Sequence, residues 1–182
     1  MTETPAPPPR PGPPEVRPEA DWTPCDPFRP YLQDESHESF VSPGATGGRL
    51  RVAYYRRSGD SCLVGRVWFG PETEGPPGHA HGGAVAAAMD EALGAVAYTQ
   101  GHPIVVARLS VDFRAMVPIG TDATFETWVE RVEGRKVHTR GRLVSPTGIL
   151  LAEGHAICVK LGEQHIETFK AVRHARRQRS RR

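Results

Sequence analysis

From residue 49 to residue 161 apolar and polar positions alternate in runs of eight to thirteen residues, interrupted once by a stretch that is apolar nearly all round. Residues 49–57 and 62–69 read as strands about a Ser58-Gly59-Asp60 turn, an antiparallel hairpin by its short loop. Breaker-rich residues 71–78 then lead to the stretch 84–98, small and apolar on almost every side, the composition of a helix buried all round. After it, residues 104–114 alternate, with Leu109, Val111 and Phe113 on one face and Arg108, Ser110 and Asp112 on the other. Runs at 123–132 and 135–144 flank Glu133-Gly134, and Pro146-Thr147-Gly148 turns the chain into a last run at 149–161. Two strands, one buried helix and four more strands predict an α+β fold, an antiparallel sheet of about six strands wrapped around one long central helix.

The ends differ in kind. Residues 1–30 hold 11 of the 18 prolines, so 1–20 are expected to be a disordered Pro-rich tail and 21–48 an irregular lead-in anchored by Trp22, Phe28, Tyr31 and Phe40. The domain is expected at 49–162 and a basic C-terminal tail at 163–182. Charge supports that division: the chain carries +2, but from Lys170 onward there are seven Lys or Arg and no acid, leaving about −5 for the rest. The basic balance belongs to a solvated end and not to the domain, so no nucleic acid is expected as a partner. Cys25, Cys62 and Cys158 are odd in number and lack CxxC spacing, which points to a reducing compartment. The first 30 residues have no apolar core of a secretory signal, Glu3, Glu15 and Glu19 argue against a transit peptide, and no apolar run spans a membrane. The expected location is cytoplasmic.

Candidate chemistry lies at the start and middle of the helix. His81-Gly82-Gly83 opens it and Asp90-Glu91 interrupts its apolar body. A carboxylate in such surroundings costs several kcal/mol, roughly, unless partnered or protonated, so it calls for a function. Glycines at a helix start leave N–H groups free to hold a carbonyl oxygen that gains negative charge. Seven or eight residues separate the glycines from Asp90, about 10 to 12 Å along a helix. A base must stand within about 3 Å of the water it activates beside that same carbonyl. One helix therefore does not supply both groups; two copies in a two-fold dimer do. Because neighbours on a helix diverge by ~100°, Asp90 and Glu91 do not face one site.

The run Gly78-His79-Ala80-His81-Gly82-Gly83-Ala84, with Asp90 nine positions after His81, resembles the signature of hot-dog-fold acyl-CoA thioesterases of the PaaI-like type. The likeness continues in Leu109–Arg114, Val117-Pro118-Ile119-Gly120 and Val132–Lys136, covering roughly residues 50–161. It implies the hot-dog fold and hydrolysis of an acyl-CoA thioester. It also implies Gly82 and Gly83 amides polarising the carbonyl, His81 shaping the loop, and Asp90 as general base or nucleophile. A homodimer follows, extendable to a dimer of dimers, that is a homotetramer, with no cofactor. This chain departs from the pattern at Met116, where relatives usually carry proline, at Val106, threonine in some relatives, and at Gly94, where some thioesterases place a hydroxyl.

Other residues narrow the reading further. Arg108, Arg114, Arg135 and Lys136 are candidates for the phosphates and adenine end of coenzyme A. His79 and His81 form an H-x-H without a third ligand or an H-E-x-x-H helix, so no metal is expected. Glycine-rich nucleotide loops and a G-x-S-x-G elbow are absent. Two alternatives stand beside hydrolysis. One is a hot-dog acyl-CoA hydratase or dehydratase, disfavoured because no histidine follows Asp90 by four or five residues. The other is a non-catalytic acyl-CoA-binding sensor or scaffold.

Overall fold

The computed structural model describes residues 19, 21–27, 40–41 and 48–179; the expected Pro-rich tail and most of the lead-in lie outside them. Seven strands form one antiparallel sheet: β1 (Trp22–Pro24), β2 (Leu50–Arg57), β3 (Leu63–Phe69), β4 (Ile104–Phe113), β5 (Asp122–Glu133), β6 (Lys136–Val144) and β7 (Leu150–Lys160), in the order β1-β2-β3-β5-β6-β7-β4. Between β3 and β4 runs α1 (Gly82–Thr99), which packs across one face of the sheet against β2 to β7. This is the hot-dog fold, with the six strands read from alternation all present. The seventh, β1, pairs Trp22 with Arg57 and Pro24 with Tyr55 at the edge of β2; three residues are too few to show a period.

Alanine-rich composition and the lack of β-branched runs favour α1. Its burial explains why it is apolar all round: every residue from Ala92 to Tyr98 is buried, and Met89, Leu93 and Val96 are wholly enclosed. The sheet receives it on two glycines. Gly141 of β6 and Gly154 of β7 stand directly opposite each other. A Cβ on Gly154 would lie 2.7 Å from Met89 Cε and 2.9 Å from Leu93 Cδ1, and one on Gly141 3.3 Å from Leu93 Cδ2. Met89 and Leu93 thus rest on bare backbone, in a trough that any side chain would fill.

Two features depart from the pattern reading. Leu109 and Val111 pack against the core, but Phe113, expected on the same face, is 55% exposed. It closes β4, the last strand in the sheet order, whose outer side pairs with no strand among the described residues. At the C-terminal end, where no regular element was expected, residues Glu163–Arg179 form a helix, α2. Glutamate, glutamine, lysine, arginine and alanine without Gly or Pro suffice for this, and Glu163 in the first turn suits the helix dipole.

Candidate active site

The start of α1 is fixed by the loop before it. A 3-10 turn at Pro71–Thr73 brings Thr73 O to the His81 amide at 2.7 Å, and the Ala80 amide donates to Val117 O at 2.8 Å. His81 is thereby held extended, at φ −62° and ψ 139°, as the residue before the helix. Its carbonyl accepts from the Ala84 and Val85 amides. Its imidazole folds back, so that the Gly83 amide donates to Nδ1 at 2.9 Å. His81 therefore caps the helix in the role usually taken by Ser or Asp. A Cβ on Gly83 would sit 2.9 Å from that nitrogen, so glycine is what lets the cap form.

This separates the two glycines that the sequence treats as equals. Gly83 already spends its N–H on His81. Gly82, exposed at the first helical position, has no acceptor for its N–H among the described residues. Beside it opens a cleft of about 330 Å³ lined by Ala80, Gly82, Val85, Phe113, Met116 and Val117, with Arg114 also contributing to its wall. A Cβ on Gly82 would meet the Phe113 ring at 3.5 Å, ordinary contact. The cleft is mostly apolar, and the Gly82 amide at the helix start is a donor at its edge.

Asp90 lies two turns further along α1, half-buried. Burial alone raises its pKa above the ordinary 3.8, and among the described residues no cation or hydrogen-bond donor compensates its carboxylate. Glu91 points elsewhere, its Oε1 accepting from the Tyr54 hydroxyl of β2 at 2.9 Å. That buried hydroxyl is pushed well above its usual pKa, first by desolvation and then by the Glu91 charge. The two acids thus diverge as helix geometry requires: one is built into the fold, the other left available. One turn after Asp90, a Cβ on Gly94 would touch Val106 Cγ2 and Ile104 Cδ1 at 3.7 Å, so β4 offers hydrocarbon along this flank.

The four cations are not brought together. Arg114, at the cleft, donates to Glu153 at 2.9 Å and approaches Asp112 at 3.5 Å. Arg108 is exposed midway along β4. Arg135 lies in the β5–β6 turn, donating to Lys160 O at 3.2 Å, and Lys136 pairs with Val159 near the opposite end of β4. Ten residues of strand, about 30 Å, separate these ends within one chain. His79 Nδ1 lies 3.0 Å from Pro77 O, and no group of three His, Cys, Asp or Glu is placed to hold a metal among the described residues. The three cysteines are free; burial pushes Cys158 up to about 11, which keeps it a thiol. No helix among the described residues is long and apolar enough to cross a membrane. Sequence reasoning missed the His81 cap and the Phe113 wall, since a strand-end aromatic and a pre-helix histidine have many ordinary explanations.

Residues 77–152 match the family model of the thioesterase superfamily. The chain is 38% identical over 93 residues to acyl-coenzyme A thioesterase THEM4 of Xenopus laevis, an alignment covering 50% of this chain and 42% of that one. The chain thus spans less than half the length of this curated relative. A solved thioesterase superfamily protein superposes with a TM-score of 0.56 at 29% identity, covering 60% of this chain and 54% of its own. A hypothetical thioesterase from Streptococcus pneumoniae, solved with coenzyme A, has the same fold at a TM-score of 0.56 and 14% identity, over 63% of this chain and 90% of that one. The helix-start motif, the strand order and the family model point the same way: the chain has the hot-dog fold, and its residues 77–152 are similar to the thioesterase superfamily.

Proposed function

We propose that the protein hydrolyses an acyl-CoA thioester to a free carboxylic acid and CoA, with the chemistry housed in residues 49–162. The observation that carries this is the pairing of an uncompensated carboxylate, Asp90, with an amide lacking an acceptor, Gly82, on one apolar helix. The name of the Xenopus laevis relative supports the substrate class. Asp90, ionised, takes a proton from a water as its oxygen attacks the thioester carbonyl. The Gly82 N–H holds the oxyanion that forms, and the positive end of α1 adds to it. Collapse breaks the carbon–sulfur bond, and the proton on Asp90 passes to the departing thiolate. His81 keeps Gly83 in register, which fixes where the Gly82 amide points. Arg108, Arg114, Arg135 and Lys136 meet the phosphates and adenine end of CoA from two subunits, since one chain scatters them.

Gly82 and Asp90 are eight residues apart on a continuous helix, about 12 Å. We therefore place the site between the subunits of a two-fold homodimer, Gly82 from one and Asp90 from the other. The edge of β4, ten residues long, unpaired among the described residues and with Val105 and Phe113 exposed, is the surface we assign to a partner copy.

Proline replacement tests the arrangement cleanly. Gly82→Pro deletes the N–H at the first helical position, where proline fits, and His81 already has the extended backbone that a following proline needs. Gly82→Pro and Asp90→Asn should each lose most of the thiol release. Mixed in equal amounts they should recover about a quarter of the parental rate, because half the dimers are mixed and each carries one intact site. Absence of recovery after verified subunit exchange rejects the shared site.

A further inference from the structure

We propose that α2 is a docking helix that lies along an anionic lipid surface, its apolar stripe set among the headgroups and its arginines on the lipid phosphates. The inference is independent of the thioesterase reading, because every residue it uses lies outside 49–162.

Exposure comes first. Among the described side chains of α2 only Ile166 is half-buried, and all the others are exposed. Phe169 and Val172 are 37% and 49% exposed, and neither belongs to the core or to the smaller cluster about Trp22. A helix of 17 residues with no buried face is marginal in water. It is stabilised by a surface that covers one of its sides.

The order of residues says which side. Ile166, Phe169 and Val172 stand three apart and form one stripe along the helix. Seven residues after each, in the same order, come Arg173, Arg176 and Arg179, and a heptad returns to nearly the same face. An apolar stripe thus runs on into a cationic one, while Gln164, Glu167 and Ala171 occupy the opposite side. From Lys170 to Arg182 there are seven Lys or Arg and no acid. Lys170 is paired with Glu167 at 2.7 Å, and no acid follows Glu167 in the sequence to neutralise the arginines locally.

Charge and pattern together select the occupant. A cationic face takes an anionic partner, and three kinds offer one. Nucleic acid engages arginines through its phosphates but leaves the apolar stripe in water. A protein groove that receives a helix reads apolar anchors out to i+7, and here the i+7 positions are all arginine. An anionic bilayer accepts both parts, since apolar side chains sink to the acyl boundary while guanidinium groups stay at the phosphates. The rest of the chain, near −5, is repelled by the same surface, so contact is confined to this end.

The test is co-sedimentation of the full chain with vesicles of phosphatidylcholine alone and of phosphatidylcholine with about a third phosphatidylglycerol. Partition onto the anionic vesicles should exceed that onto the neutral ones at least about tenfold, and should fall at least about tenfold between roughly 0.1 M and 0.5 M salt. Each cation near such a surface is worth about fivefold, so Arg173→Gln, Arg176→Gln and Arg179→Gln together should weaken partition about a hundredfold. Phe169→Gln, which removes one large apolar side chain, should weaken it about fivefold to tenfold. Glutamine is a good helix former and Phe169 is exposed, so both variants should fold, which circular dichroism checks. Partition is read without hydrolysis, and any thiol release measured without vesicles should be the same in both variants as in the parent. A labelled DNA duplex serves as the second probe. Equal or tighter binding to the duplex, with Phe169→Gln without effect on either probe, overturns the lipid surface in favour of nucleic acid. Partition that is absent, that is equal on neutral and anionic vesicles, or that the triple arginine variant leaves unchanged overturns the proposal.

Discussion

Replacing Asp90 by Asn changes one oxygen to an NH₂ group, keeps the volume, and separates two properties that usually fall together. The carboxylate is half-buried without a cation or donor among the described residues, so its charge costs stability while, in the proposed mechanism, it serves as the base. In a thiol-release assay the variant should lose between about 10² and 10⁴ in kcat, the usual value of general-base assistance, equivalent to roughly 2.7 to 5.5 kcal/mol of transition-state stabilisation. Folding should not suffer, because Asp and Asn have similar helix propensities and no partner is lost. The sign of the pH effect is fixed by the direction of the shift. A carboxyl whose folded pKa is raised above 3.8 binds its proton more tightly in the native state, so the parent loses stability as pH rises through that folded value. Asn carries no such loss. Urea denaturation should therefore show the variant as stable as the parent or more so at pH 7.5, with the difference shrinking near pH 4. The parental kcat should decline on the acid side at a pH above 3.8, and the residual rate of the variant should lack that limb. Glu91→Gln, by contrast, keeps an oxygen for the Tyr54 hydroxyl and should lose less than about tenfold. An Asn variant that hydrolyses at the parental rate, or that is destabilised by more than about 1 kcal/mol, would falsify the picture of Asp90 as an uncompensated base.

Three further outcomes can be measured. His81→Ala removes the Nδ1 cap from the Gly83 amide and should cost about 1 kcal/mol in denaturation, while Gly83→Ala, whose Cβ displaces the same ring, should abolish any further effect of His81→Ala. Leu93→Ala empties the position over Gly141 and Gly154 and should cost about 2 to 5 kcal/mol by urea melts. His155, stacked on His138 at 5.7 Å, is held below its usual pKa of 6.5 by burial first and by Arg140 next. The unfolded chain then takes up its proton before the native one, so stability should fall as pH drops below about 6.5, and His155→Gln should flatten that slope in denaturation measured from pH 7 to pH 5.

The strands and the helix were legible because period and burial coincide in them; residues 104–114, for example, alternate and form β4 almost to the residue. Asp90 stands out in the sequence because an acid in an apolar helix has few bland explanations, and the structure shows it half-buried on α1. The His81 cap was not, since which group takes an amide proton depends on a side-chain rotation that no spacing encodes. Nor was the fate of Arg114, whose partner Glu153 lies 39 residues away and becomes a neighbour only through the pairing of Asp112 with Glu153. The α2 helix was missed because its strong helix formers were read as a charged end, not as a segment with a propensity of its own.

The glycine pair under α1 makes the depth of the acid a property of the sheet. Met89 and Leu93 flank Asp90 in sequence and sit on Gly141 and Gly154, so those two positions act as the seat of a lever whose arm carries the carboxylate. A methyl added at Gly154 presses on Met89 and Leu93 and so on the seating of the helix that carries Asp90, while one at Gly141 meets Thr127 of β5 first and Leu93 after it, although neither glycine is assigned a place in the site. Residues far from any reacting atom can therefore tune or abolish the reaction through height alone, and a chain drifting in sequence has freedom on the outer face of β6 and β7 that it lacks on the inner one.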